Sequence, residues 1–94
     1  MHYLYIIFSK KVDKFYIGET QDIESRIEKH KMHPYQNSFT KIANDWILKL
    51  SFECKDRNEA LFLEKFIKRM KSKKFTQKII DEPEILNDIL SKNK

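Results

Sequence analysis

Arg26 and His30 stand four residues apart in a stretch of helical period, so they share one face. A guanidinium and an imidazole placed together can grip a phosphate and exchange protons near neutral pH. An ordinary solvated face, with Arg26 paired to Asp22 four positions earlier, accounts for the same spacing. A second candidate is Glu64. Ala60, Leu63, Ile67 and Met70 follow the i, i+3, i+4, i+7 rule of a buried helical stripe, and Glu64 falls on or at the edge of it. A carboxylate beside apolar neighbours is costly unless it is paired or binds a cation. Lys68, at i+4, offers a pair. A hard divalent ion, held by one carboxylate and several waters, is the alternative. The third feature is Gly18, the only glycine of the chain. A lone glycine belongs where a side chain cannot go, through positive φ or through close approach by another chain or a ligand.

These residues need elements to hold them. Tyr3-Leu4-Tyr5-Ile6-Ile7-Phe8 is an apolar and aromatic strand, Phe15 to Glu19 a second, and the polar residues 9–14 connect them as a hairpin. Tyr5 and Tyr16 then lie on paired strands, with Gly18 ending the second. Thr20-Gln21-Asp22 opens a helix that runs to about Met32 and is stopped by Pro34. Residues 33–45 have turn chemistry and read as a loop. Trp46 to Glu53 is a third strand, buried on at least one face. Asp56-Arg57-Asn58-Glu59 is an Asp variant of the capping box, before a helix over 57–71. Phe75 to Ile80 is a shorter element whose type the pattern leaves open. Pro83 begins a last amphipathic helix bearing Ile85, Leu86, Ile89 and Leu90. The expected architecture is a small α/β domain, a three-stranded, mainly antiparallel sheet flanked by helices. Residues 1–80 form its body, and 81–94 pack on it or extend it.

Ninety-four residues suffice for one modest core. With 35% charged and 40% hydrophobic residues the composition is globular. No apolar run approaches a membrane span and no signal peptide is evident, so no membrane partner is expected. The one cysteine, Cys54, has no disulfide partner within the chain. A structural thiol and a cytoplasmic location are therefore expected. The net charge of +5 is uneven, because residues 65–78 carry Lys65, Lys68, Arg69, Lys71, Lys73, Lys74 and Lys78 and no acid. Such a field favours phosphate backbones irrespective of base sequence. A lysine-rich solvated surface explains it equally. His30-x-x-His33 lacks the further ligands of a zinc site, and no Gly-rich nucleophile turn supports a Ser or Cys hydrolase.

In order, the chain reads Leu4-Tyr5-Ile6, Phe15-Tyr16-Ile17-Gly18, Thr20-x-Asp22-x-x-x-Arg26-x-x-x-His30 and Glu59-Ala60-x-x-x-Glu64-x-x-Ile67-Lys68. Over about residues 2–80 this set resembles the compact single-domain branch of the GIY-YIG nuclease family. It is similar to the nuclease domain of the excision-repair incision subunit. The resemblance implies metal-dependent phosphodiester hydrolysis in DNA. Tyr16 or Tyr5 would activate the attacking water, a role for which a phenol, with its pKa near 10 in water, needs cations close by. Arg26 would neutralise charge on the scissile phosphate, and His30 occupies a position that a tyrosine or histidine fills in relatives. Glu64 would hold a single Mg²⁺ or Mn²⁺. Gly18 would bring the end of its strand close to the substrate, and the 65–78 lysines and the 33–45 loop would position DNA, with RNA as the alternative. Two departures stand out. Tyr3 takes the place of the first motif's glycine. Glu19 stands where repair-type members carry a lysine, so that it would repel DNA or give the metal another ligand. The alternatives are a non-catalytic nucleic-acid-binding module of the same fold, and a protein-interaction role for the acidic 81–94 helix.

Overall fold

A computed structural model of the chain describes residues 1–26 and 45–92. The apolar run near the N-terminus forms β1 (His2–Ser9), which turns back on itself into β2 (Lys14–Thr20). The turn is possible because Asp13 takes a left-handed conformation, with φ of 53°, a state that Asp tolerates better than most residues. The pairing is antiparallel, with Tyr5 opposite Gly18, Ile7 opposite Tyr16 and Ser9 opposite Lys14. β3 (Ile47–Cys54) pairs antiparallel with the other side of β1, with a register irregularity between Ile6 and Ile7. The order is therefore β2-β1-β3, and both strands that pair with β1 are edges. This is the three-stranded antiparallel sheet of the expected α/β class.

Side chains alternate across the sheet. Leu4, Ile6, Ile17 and Cys54 face the helices, where they are buried with Ala60, Leu63, Ile67, Ile79 and Leu86. Tyr5, Ile7 and Trp46 are buried on the opposite face, with Val12, Tyr16 and Ile23 packed against them. β1 is central and covered on both sides, which explains its unbroken apolar run. Trp46 was expected to open the third strand; it lies just before β3 and is fully buried. β3 is more exposed than expected. Ile47 and Leu48, in the first half of this edge strand, are open to solvent. Asp45, immediately upstream, ties this segment to the hairpin: it accepts from Ser9 Oγ and, at 3.0 Å, from the Lys11 N–H. These bonds, the Ser9 bond foremost, hold its carboxyl below the ordinary value.

The helical residues 23–26 (α1) begin at Asp22, whose Oδ1 accepts from the Ser25 N–H at 3.1 Å. The predicted course to Met32 and the 33–45 loop, apart from Asp45, lie outside the described residues. α2 (Arg57–Met70) is capped by Asp56, which accepts from the Glu59 N–H at 2.9 Å. Glu59 reaches back, as in a capping box, but to the Lys55 N–H at 2.8 Å, one residue earlier than expected. α2 ends where Lys71 enters the left-handed region at φ 48°. Met70, assigned from its spacing to the buried stripe, is the last residue of α2 and is instead 48% exposed. Ser72 immediately caps α3 (Lys73–Asp81), accepting from the Phe75 N–H at 3.0 Å, so the element of open type is a helix. α4 (Glu84–Lys92) follows Pro83 and inserts Leu86, fully buried, into the core. Residues past 80 thus pack on the same core as the body of the domain. Cys54 is buried beside them, and burial pushes its thiol up to about 11. Among the described residues no helix is long and apolar enough to cross a membrane.

Candidate active site at the edge of the sheet

α2 lies against β1 and β2, and the open edge of β2 lets its flank reach residues of the opposite sheet face. Lys68 Nζ stands 5.4 Å from the centroid of the Tyr16 ring. The same ammonium donates to Glu64 Oε2 at 2.9 Å. Glu64 is therefore the i, i+4 partner of Lys68, with its side chain 19% exposed. The Tyr16 and Tyr5 rings follow, 6.3 Å apart and tilted by 41°. Tyr5 is only 1% exposed, whereas Tyr16 is partly open. Successive contacts thus link Tyr5 on the central strand, Tyr16 on the edge strand, Lys68 and Glu64.

Gly18 joins these contacts for a reason that its spacing does not reveal. It does not end β2, which continues two residues to Thr20, and its φ is not positive. A Cβ at position 18 would stand 2.6 Å from the Tyr5 hydroxyl oxygen and 2.7 Å from Cζ. The close approach that demands glycine is made by the chain's own Tyr5, from the directly opposite position on β1. Gly18 is itself buried. The expectation that Gly18 ends its strand is corrected accordingly.

Arg26 sits on α1 and lines a cleft of about 560 Å³ with Glu19, Thr20, Asp22 and Arg57. The predicted Arg26–Asp22 pair does not form, because Asp22 is occupied as the helix cap. Arg26 has no ion-pair partner among the described residues, and its guanidinium faces an open polar cleft. His30 lies outside the described residues.

A family model of the GIY-YIG catalytic domain matches residues 1–78, most of the chain. The chain belongs to the GIY-YIG family. It carries a nuclease-type domain, and the family's members are endonucleases. No curated protein and no solved structure matched the chain. The GIY-YIG match ends within α3, so α4, with the buried Leu86, lies beyond the matched residues.

Glu19, the departure from the family pattern, has partners within the fold. Its carboxylate meets Arg57 Nε at 3.5 Å and His2 Nε2 at 3.7 Å, and its side chain is 16% exposed. Its negative charge is offset within the fold.

The lysines of the 65–78 stretch divide. Lys68, Lys71 and Lys73 border a groove of about 650 Å³ between β2 and the α2–α3 corner, floored by Phe15, Ile17 and Ile67. Lys73 is bound there to Asp13, at 2.6 Å from its carboxylate and 2.9 Å from its carbonyl oxygen. Arg69 turns to the Phe66 ring, 5.9 Å away, and Lys65 and Lys74 are exposed and do not line this groove. Lys14, from the hairpin, joins the groove rim. It was missed in the linear reading because it is remote from the basic run, and only the strand register carries it there.

Proposed function

We propose that this protein is a divalent-metal-dependent endonuclease that hydrolyses phosphodiester bonds in DNA. The observation that carries this reading is the juxtaposition of a partly exposed tyrosine, Tyr16, with a shielded carboxylate, Glu64, at an open sheet edge. Of the two tyrosines, Tyr16 is the one that water can reach, so Tyr16, as its phenolate, would accept the proton of the attacking water and become the neutral phenol. Tyr5, buried and seated over Gly18, fixes the Tyr16 ring. Arg26, without an ion-pair partner among the described residues, offers its guanidinium to the phosphate as charge builds on it. The donor set suits a hard ion that keeps most of its water: among the described residues there is no group of three or more His, Cys, Asp or Glu that could hold a metal. Glu64 would hold one Mg²⁺ or Mn²⁺, which when bound would act as a Lewis acid toward the phosphate and the leaving oxygen.

A non-catalytic nucleic-acid-binding module is the second reading, and one observation favours it: Glu64 is already neutralised by Lys68 at 2.9 Å. A plasmid-nicking assay with Mg²⁺ or Mn²⁺ separates the two. Nuclease function predicts nicking that Glu64→Gln and Arg26→Ala both abolish. Neither change should alter melting much, since the i, i+4 pair of Glu64 contributes only about 0.3–0.5 kcal/mol and Arg26 has no ion-pair partner among the described residues. Absence of nicking by the unaltered protein, with binding to DNA that weakens steeply with salt, would establish the binding module instead.

A further inference from the structure

Lys68 links a carboxylate to a basic groove. Its ammonium rests on Glu64, while its residue also borders the groove whose rim includes Lys14 and Lys71. The two partners are unequally exposed, the Lys68 side chain at 47% and that of Glu64 at 19%. The carboxylate is the shielded member, and the half-exposed lysine can leave it at the cost of its contact with the Tyr16 ring. Pairs of this type are weak enough to exchange. An ammonium and a divalent ion also compete for the same oxygen, because both positive charges cannot sit in contact with one carboxylate without strong mutual repulsion. A phosphate entering the lysine-rimmed groove offers Lys68 a second anion at the moment a metal would need the first.

We propose that Lys68 is a resident cation that guards Glu64 and is drawn off by a nucleic-acid phosphate, so that the strand and the divalent ion bind cooperatively. This rests on the reading of Glu64 as the metal-holding carboxylate. Metal loading is thereby disfavoured in the free protein and favoured on substrate. By linkage the coupling is reciprocal: the ion tightens the strand by the factor that the strand tightens the ion.

Binding, without turnover, tests the idea. Mn²⁺ affinity of the nucleic-acid-free protein is read from the electron paramagnetic resonance signal of free Mn²⁺, for the unaltered chain, Lys68→Met, Lys68→Gln and Glu64→Gln. Affinity for a fluorescent phosphorothioate-linked oligonucleotide, which resists cleavage, is then measured with and without Mn²⁺. Both Lys68 variants should bind Mn²⁺ about five- to tenfold more tightly than the unaltered chain, the repulsion in water between a divalent ion and a lysine charge that has swung off to roughly 6–9 Å. The tightening of the oligonucleotide by Mn²⁺ should shrink by a similar factor. Glu64→Gln should lose the Mn²⁺ site. Mn²⁺ affinity unchanged within twofold in both Lys68 variants, with the site lost in Glu64→Gln, would overturn the guarding role and leave Glu64 as the ligand. Unchanged Mn²⁺ binding in Glu64→Gln would overturn both.

Discussion

Replacing Gly18 by alanine tests why the chain has its single glycine. The new Cβ would stand 2.6 Å from the Tyr5 hydroxyl, 2.7 Å from Cζ and 3.0 Å from Cε2. Carbon contacts are comfortable at about 3.5–4.0 Å, so the ring must retreat by roughly 1 Å. Tyr5 is 1% exposed and packed with the fully buried Ile7 and Trp46, so retreat disturbs a filled space. Overpacking of this kind costs about 1–3 kcal/mol. Against it, alanine is favoured over glycine in a strand by about 0.5–1 kcal/mol, and no positive φ penalises the change. The net loss is about 1–2 kcal/mol, which lowers the melting temperature by about 5–15 °C in a domain of this size. The assay is guanidinium unfolding followed by Trp46 fluorescence, the chain's one tryptophan and a fully buried one. It is run as a double-mutant cycle with Tyr5→Leu. With the ring removed, Gly18→Ala should become neutral or slightly stabilising. Equal loss in both backgrounds would refute the reasoning. A stable Gly18→Ala protein that fails to bind nucleic acid would show instead that the glycine makes room for a ligand.

Two further outcomes follow from the core and from the segment ahead of β3. The Asp45 carboxyl is held low by its bonds from Ser9 and Lys11, so its contribution is complete above the unfolded value of about 3.9 and fades as pH falls through that range. Asp45→Ala should therefore lower the unfolding midpoint at pH 6, and its difference from the unaltered protein should narrow as the pH is taken from 5 to 2.5; a constant difference would sink the assignment. Leu86, at 0% exposure in the common core, should cost about 2–5 kcal/mol on change to alanine, measured by the same unfolding assay. An unchanged midpoint would mean that α4 is an appendage rather than part of the domain.

Much of the scaffold could be read from period and punctuation. The aromatic run of β1 and the short connection to β2 specify a hairpin, because a charged six-residue link between two apolar runs leaves few other pairings. Asp56 and Glu59 announce α2 through the chemistry of its first free N–H groups. α3 escaped because its cap, Ser72, lies inside a run of lysines that hides the helical period, and because Lys71, a non-glycine residue in the left-handed region, breaks the chain where no breaker residue stands. The partial exposure of β3 escaped for a different reason: an apolar sequence does not say whether any element lies above it.

For the site, the sequence by itself determined which residues are able to act: two tyrosines in facing strands, an arginine one turn into a helix, and a carboxylate and a lysine four apart on another. Those are local matters of residue type and helical or strand period. Tertiary structure alone decided how they are shared. β2 became an edge strand, so Lys68 can reach around it to Tyr16 while holding Glu64. Tyr5 fell opposite Gly18, which converts a glycine that looked like a strand end into the seat of a buried ring. Glu19 met Arg57 and His2 from elements remote in sequence, and Lys14 joined a groove otherwise built on α2 and α3. Each of these depends on which strand pairs with which and on the helix that covers them, and side-chain period along one element carries no information about its neighbours.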